Sequence, residues 1–372
     1  MKIKVNKDSL LKCLEVVVKA IPSKAFMPME HNFFLDIKDS KCYAYARSGK
    51  IQIKGLFPVE SKEDIQICVP GNILMNTVRL LRDEELVFNY NPEKFILNLV
   101  AGKKKYKITG VNPSEFNPSK VIDDNPISIK ALASSILGPI STVSKIVKWD
   151  DMRSELSGVT LLSNEGSIDI SGTHEAFYFH ISKTGIETDK EFGIVLPKDL
   201  SIALSQTKGA GDANIIIGEK SISVSVDGFE FYSVLIDIRK VMNLEKFFEL
   251  DEEKFLLIDK DEILMAVRRL TNYCEAGSGM IVSLEGNELK LFSENQGFGV
   301  DAEEVIDVTN KNTENIKLGI DVRYLLSILN NVSGSTIKLY MSHPKRPIYI
   351  RDADNLNEKW GCALMALVDK KD

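Results

Sequence analysis

Four histidines, His31, His174, His180 and His343, and five cysteines, Cys13, Cys42, Cys68, Cys274 and Cys362, are the side chains best suited to metal ligation or nucleophilic catalysis. None stands at metal-ligand spacing from another, since the chain has neither a C-x-x-C nor a paired Cys/His run. The cysteines are odd in number and four sit inside apolar strand or helix patterns, so they read as buried reduced thiols. Asp169, Ser171 and His174 could supply a hydrolase triad, but they fall on one strand and its turn, and no nucleophile elbow surrounds the serine. "IIIGEKS" at Ile215 to Ser221 ends somewhat like a phosphate loop. Glu219 precedes its lysine where glycine is required, Asn214 holds the earlier glycine position, and a strand pattern follows, so the segment reads as a hairpin turn. "GKKKY" at Gly102 to Tyr106 is most simply a basic hairpin tip or edge-strand guard. These residues imply no metal, no cofactor and no catalytic centre.

What remains is the chemistry of charge. The formal net charge of −6 argues against nucleic acid at first sight, because affinity for DNA comes largely from neutralised phosphates. The total hides a partition. Apolar residues at helical spacing mark six helices, over 7–20, 71–82, 130–148, 197–208, 259–273 and 321–331. They carry 14 Lys and Arg against 7 Asp and Glu, a net of +7 that leaves −13 for strands and loops. Lys and Arg are good helix formers and would also populate any solvated helix face. The helices 71–82 and 130–148, however, hold no acid at all, where a merely solvated helix mixes signs. The helices read as one basic surface, with acidic sheets facing solvent.

The elements that position these charges repeat. "ICVPGNILMNTVRLL" from Ile67, "IVLPKDLSIALSQTK" from Ile194 and "LGIDVRYLLSILNNV" from Leu318 are each a short apolar strand that stops at Pro70, Pro197 or Asp321 and opens an amphipathic helix. The starts lie 127 and then 124 residues apart, a period of whole domains. Each third also begins with a helix that leads into a hairpin, "HNFFLDIKDSKCYAYA", "LSGVTLLSNEGSIDIS" or "SGMIVSLEGNELKLFS", with turns at Asp39 and Ser40, Asn164 to Gly166, and Glu285 to Asn287. The order expected in each third is helix, hairpin, strand, strand, helix, hairpin, strand. Pattern fails and turn formers gather near 112–126 and 237–254, which sets domains at 1–122, 123–247 and 248–372. The fold class is α+β, three tandem repeats each with two helices packed on antiparallel β-sheets. At 44% hydrophobic and 27% charged, with no apolar run of about 18 residues and no leader-like N-terminus, the chain is expected to be cytoplasmic and away from membranes.

Repeat, element order, length and charge partition together resemble the bacterial sliding clamp family, the DNA polymerase III β subunits. "MKIKVNKDSLLKCLEVV", "ICVPGNILMNTVRLL", "RSELSGV" at Arg153 to Val159, "DAEEVIDV" at Asp301 to Val308 and "LGIDVRYLLSILNNV" carry the likeness over essentially the whole chain. The resemblance implies the DNA clamp fold and a head-to-tail homodimer, closed as a ring around double-stranded DNA with helices inside. Edge logic agrees, because pairing the open sheet edges of two copies removes them. Tyr106 and Ile108 on one side and Leu270 and Tyr273 on the other match that contact. A pore about 30 Å deep encloses on the order of 18 phosphates, against the helices' +7 from each of two chains, which holds DNA without reading bases. Lys24 and Arg153 match basic positions near DNA, and Arg79, Arg82, Lys145, Lys148, Lys198 and Arg268 lie on helices that would face it.

The same resemblance implies a client pocket that takes a short linear peptide from the DNA polymerase catalytic subunit, the clamp loader complex and repair proteins. Its matching positions are Leu156, Ser171, Thr173, His174 and Ala176 in the middle third, then Ile236, Lys240 and Val241, and finally Ala363, Leu364, Met365 and Leu367. Glu175 stands where the family usually has Arg, Ile236 and Leu364 replace prolines, and "CALMALVDKKD" runs past the usual end. An apolar groove with altered peptide preference is expected, disfavouring acidic peptides. The function this points to is a non-catalytic processivity factor. A phage-encoded or paralogous clamp for a different polymerase, or an enzyme with an interdomain cleft, are the alternatives.

Overall fold

The structure is a computed structural model that describes all residues except 23–27, 121–123, 148–157, 165–166, 175–177, 187, 189, 208, 238–249, 276–278, 344–345, 356, 363 and 366–372. One order of elements runs through it three times. The first pass is β1 (Lys2–Asn6), α1 (Lys7–Val17), β2 (Asn32–Lys38), β3 (Lys41–Arg47), β4 (Ile51–Glu60), β5 (Ile65–Pro70), α2 (Gly71–Leu80), β6 (Glu85–Asn91), β7 (Ile96–Ala101) and β8 (Lys104–Thr109). The second is β9 (Ile127–Leu132), α3 (Ala133–Ile146), β10 (Val159–Asn164), β11 (Ser167–His174), β12 (Tyr178–Lys183), β13 (Gly193–Leu196), α4 (Lys198–Ser205), β14 (Asp212–Ile217), β15 (Ser221–Val226) and β16 (Phe229–Val234). The third is β17 (Phe255–Asp259), α5 (Lys260–Leu270), β18 (Gly279–Glu285), β19 (Glu288–Asn295), β20 (Val300–Asp307), β21 (Thr309–Lys311), β22 (Ile316–Asp321), α6 (Val322–Asn331), β23 (Thr336–Tyr340), β24 (Ile348–Asp352), β25 (Glu358–Cys362) and β26 (Leu364–Met365).

Local chemistry explains the helix starts. Asn6 accepts from Ser9 N at 3.0 Å, Asp259 from Glu262 N at 2.9 Å and Asp321 from Arg323 N at 2.9 Å, each satisfying an orphan donor of the first turn. In α5 the acids Asp261 and Glu262 open the helix and Arg268 and Arg269 close it, complementing its dipole. Proline occupies the cap position of α2 and α4, Pro70 and Pro197, where no side-chain cap forms. The helix expected over 130–148 begins at Ala133 instead, because Ile127 to Leu132 hydrogen-bond along β14 as a strand. The expected helix tails at Val18–Ala20 and Thr271–Tyr273 are tightened 3-10 turns.

The chain gathers into two compact units. The first comprises Met1–Ser141 with Leu196–Asp237. Its twelve described strands form one sheet, with the path β8-β7-β6-β1-β4-β16-β15-β14-β9 and β2, β3 and β5 branching from it. The join between repeats is β4 against β16, where Lys54, Ile53, Gln52 and Ile51 pair with Glu230 to Ser233. Helix α1 lies on this sheet through Leu10, Cys13, Leu14 and Val17, and it packs against α2. The connector after β8 is strapped to the same sheet. Phe116 stacks on Phe34 at 4.5 Å, Arg47 donates to Asn117 O, and the Gln52 amide exchanges two hydrogen bonds with the Ser119 backbone.

The second unit comprises Thr142–Val195 with Ile238–Asp372. It holds a nine-stranded sheet, β13-β10-β11-β12-β25-β24-β23-β17-β21, and a five-stranded one, β20-β19-β18-β22-β26. Strands 178–183 and 358–362, far apart in the chain, pair here in register from Tyr178 with Cys362 to Ser182 with Glu358. Its core joins α5 and α6 to both sheets through Ile263, Val267, Leu325, Ile328, Leu291 and the fully buried Trp360.

Gly172 on β11 lets the end of α3 sit directly on the strand. A Cβ there would lie 2.4 Å from Val143 Cγ1 and 2.7 Å from Val147 Cγ2, closer than side chains tolerate. Gly172→Ala is therefore expected to destabilise the second unit by about 1–3 kcal/mol, as overpacking does. Urea unfolding checks this: the midpoint falls, and Val143→Ala in the same chain recovers part of the loss.

Candidate nucleic-acid interface and client site

In the first unit the buried stripe of α1 leaves Lys12, Glu15 and Lys19 on the opposite, solvent face. Arg79 on α2 is exposed and meets Glu15 at 3.5 Å, Arg82 follows just past the helix, and Lys198 opens α4 in solvent. In the second unit Lys145 is exposed in the last turn of α3. Arg268 is exposed on α5 and donates to Asn330 Oδ1 of α6 at 2.6 Å, while its neighbour Arg269 turns the other way onto Glu304 of β20, at 2.7 and 2.5 Å. Five of the eight expected DNA-facing cations thus sit on helices, or just past one, with their charge in solvent. Lys24, Lys148 and Arg153 lie outside the described residues. Lys12 on α1 and Lys19 on the 3-10 turn after it, counted in the helix charge but not singled out, are legible in the sequence only as polar positions of the expected helix 7–20.

The expected client positions are spread over two strands of the second unit and a tail of the first. Ser171 and Thr173 are buried on β11, and His174 ends that strand. Leu364 and Met365 form β26 and pair with Ile320 and Gly319 of β22. In the nine-stranded sheet, apart from β26, β12 pairs Thr173 with Phe179, and β25 pairs Phe179 with Gly361. Residues almost two hundred positions apart thereby come to lie one strand from each other. Ile236 is half-buried beyond β16, in the first unit. Leu156, Glu175, Ala176, Lys240, Val241, Ala363 and Leu367 lie outside the described residues.

The β22–β26 pairing also brings the start of α6 beside the C-terminal segment, a neighbour that the spacing of residues did not reveal. Arg323 forks onto both oxygens of Asp321, at 3.0, 3.2 and 2.5 Å, with its guanidinium 5.8 Å from the Tyr324 ring centroid. Burial works to raise the Asp321 carboxyl, but hydrogen bonds from the Arg323 side chain and from the backbone of Arg323 and Tyr324 hold it below the usual range.

Of the positions expected at a contact between copies, Tyr106 and Tyr273 are each 37% exposed, whereas Ile108 and Leu270 are 5% and 1% exposed. Ile108 and Leu270 belong to the cores of their own units. Apolar type alone does not separate a core residue from an interface residue: Ile108 is the one buried position of β8, and Leu270 lies on the buried stripe of α5.

The catalytic alternative lacks convergence. Asp169 and Ser171 share one face of β11, and position 174 belongs to the other by the alternation of the pleat. Burial pushes the Cys13 thiol up to about 12 and raises that of Cys42 as well, the opposite of an activated nucleophile. Among the described residues no three His, Cys, Asp or Glu side chains gather as a metal site. No helix among them is long and apolar enough to cross a membrane.

Comparison with known proteins accounts for this arrangement. The family model for the DNA polymerase III beta subunit N-terminal domain matches residues 1–120, and that for the C-terminal domain matches 246–361. The beta sliding clamp of Pseudomonas aeruginosa is 23% identical over 361 residues, covering 94% of this chain and 96% of that one. The Staphylococcus epidermidis beta sliding clamp is 20% identical over 371 residues, covering 95% and 96%. A crystal structure of the DNA polymerase III subunit beta from Pseudomonas aeruginosa superimposes with a TM-score of 0.89 at 20% identity, over 99% of this chain and 100% of that one. The Thermotoga maritima beta subunit does so at 0.88 and 16% identity, with the same coverage. The fold is the α+β DNA clamp fold. The chain belongs to the DNA polymerase III beta subunit family, the beta sliding clamps, as a divergent member.

One titratable group of the second unit is tied to its fold. His180 of β12 pairs with Trp360 of β25, their ring centroids 3.9 Å apart, and neither imidazole nitrogen has a hydrogen-bond partner. Complete burial pushes its pKa from 6.5 down to about 3. Below pH 6.5 the unfolded chain therefore binds a proton that the folded chain refuses, so this contribution to stability is present at neutral pH and is lost as pH falls toward 3. The loss is expected to reach about 1.4 kcal/mol per pH unit within that window. Chemical unfolding at stepped pH checks it: His180→Phe should remove that part of the slope, and an unchanged slope would refute the assignment.

Proposed function

We propose that this chain is a non-catalytic processivity factor of DNA replication. Two copies close head to tail into a ring that encircles double-stranded DNA, slides without reading sequence and tethers a DNA polymerase catalytic subunit at high effective concentration. A clamp loader complex opens the ring, which has no free end for DNA to enter. The repeating units are the domains 1–122, 123–247 and 248–372, and the protein works in the cytoplasm.

The observation that carries this reading is the opposite charge of two terminal strands. β8 ends the twelve-stranded sheet, and Lys103 to Lys105 and Lys107 lie on it or at its turn. β20 ends the five-stranded sheet with Asp301, Glu303, Glu304 and Asp307. Lys104 is engaged by Asp83 at 2.6 Å and Glu304 by Arg269, but Lys103, Lys105, Lys107, Asp301, Glu303 and Asp307 form no ion pair among the described residues. A basic edge cannot pair with its own copy in a second chain, because like charges opposite each other repel. It pairs with the acidic edge, which makes the contact heterologous and closes a ring when the rotation allows. The exposed Tyr106 and Tyr273 supply aromatic surface to that contact, and pairing removes two unpaired backbone edges.

Inside the ring, Arg79, Arg82, Lys145, Lys198 and Arg268, with Lys24, Lys148 and Arg153, supply the sequence-independent attraction. The client peptide binds around Ser171, Thr173, His174, Leu364 and Met365, with Glu175 disfavouring acidic sequences.

Mass measurement in solution is expected to give a dimer. Lys105→Glu/Lys107→Glu and Asp301→Lys/Glu303→Lys should each yield monomers, and mixing the two variants should restore dimers; a dimer insensitive to either double change would refute the edge contact. Loaded on circular duplex DNA, the protein should be retained and then released when the circle is cut. Equal retention on circle and line would end the ring reading.

A further inference from the structure

Among the crevices that indent the described surface of the first unit, one differs from three others in chemistry. Those at the N-terminal strand are lined by both lysines and glutamates and by no aromatic ring, with Lys4 between Glu60 at 3.6 Å and Glu85 at 3.8 Å. A third, over β4 and β16, has its lysine occupied: Lys54 pairs with Glu230 at 3.3 Å and sits over the Tyr43 and Tyr45 rings. The fourth, about 590 Å³, lies among α1, α2, α4 and the turn before β16. Val16, Met75 and Phe229 give it an apolar floor, and Lys12, Lys19 and Arg79 give it a basic rim.

Its acids are already engaged. Glu15 is held by Arg79, and Asp227 accepts from Ala210 N at 3.3 Å. Lys12 and Lys19 are exposed and form no ion pair among the described residues, so two full positive charges stand over an aromatic floor. They are seven residues apart along α1 and the 3-10 turn that follows it, roughly 11 Å, which is about the length of three stacked nucleotides. The volume suits a group of nucleotide size.

We propose that this crevice is a seat for single-stranded DNA: Lys12 and Lys19 hold two phosphates of one strand about three nucleotides apart while an unpaired base between them lies against Phe229 and Met75. A duplex keeps its bases stacked inside and offers the rim only phosphates, leaving the floor unused. An unpaired strand offers both, and every base has a face that stacks on an aromatic ring whatever its identity. The seat lets a clamp at a primer junction hold the unpaired template without reading it. The proposal rests on the reading that α1, α2 and α4 face nucleic acid.

Fluorescence anisotropy of a labelled short oligothymidylate, against a duplex of equal length, tests it across salt concentrations with the intact protein. Lys12→Gln/Lys19→Gln should lower the slope of log affinity against log salt by about 1.4 for the single strand, about 0.7 for each phosphate left without its lysine. Phe229→Leu should weaken single-strand binding about tenfold, within the range of aromatic stacking, and leave duplex binding unchanged. No single-strand binding by the parent protein, an unchanged single-strand slope, the same loss on the duplex from Phe229→Leu, or displacement by a glutamate-rich peptide but not by unlabelled oligothymidylate would each overturn it. If Phe229→Leu melts early, the exposed lysines decide alone. Retention of the parent protein on circular duplex DNA separates the two readings: retention without the single-strand signature refutes the crevice and keeps the ring, and its converse refutes the ring alone.

Discussion

Backbone hydrogen bonding across repeat boundaries is the constraint on which the rest of this molecule depends. A strand at the edge of an antiparallel sheet carries unpaired N–H and C=O groups that must find partners. The chain meets that demand twice with its own strands, at β4 against β16 and at β12 against β25. Each join merges strands of different repeats into one sheet, so the middle third is divided between two compact units. The same demand, unmet at β8 and β20, is what a second copy would satisfy, with the sign of the charges selecting which edge meets which.

Helix placement follows from sheet continuity. A helix that crosses one face of a sheet buries its apolar stripe there and turns its charged stripe outward, so the position of each cation is fixed by where Leu, Val and Ile recur. On α1, burial of Leu10, Leu14 and Val17 sets Lys12 in solvent, and on α5, burial of Ile263, Ala266 and Val267 does the same for Arg268. Such cations cost little to hold and attract phosphate without specifying base, which is the electrostatics a sliding contact requires. Buried polarity is spent sparingly by comparison. His180, neutral against Trp360 at the β12–β25 join, is a group whose desolvation the fold tolerates only in its uncharged state.

Much of the architecture was legible from residue order. The repeat of strand, proline or aspartate, and amphipathic helix marked the two helices of each third and the strands between and after them, but not β1, β9 and β17 ahead of each first helix nor β21 and β26, and the charge partition marked the helices as the basic component. The helix expected over 130–148 starts three residues later in the fold because "ISIKAL" is as compatible with a helix start as with a strand, and only pairing with β14 decides between them. Ile108 and Leu270 show the same ambiguity at the level of surface: an apolar side chain satisfies a core and an interface equally, and its burial depends on neighbours that no spacing encodes.

Sequence alone determined the periodicity, the caps, the sign of each helix face and the absence of metal-ligand spacing, because these depend on residues within one or two turns of one another. Tertiary structure alone decided which strands of different repeats pair, that Thr173 and Gly361 lie one strand apart, that Arg323 and Asp321 border the C-terminal segment, and that Lys12, Lys19 and Phe229 share a crevice. Those facts depend on long-range register. Register is set by how whole apolar faces fit together, not by any local preference of the residues that it brings together.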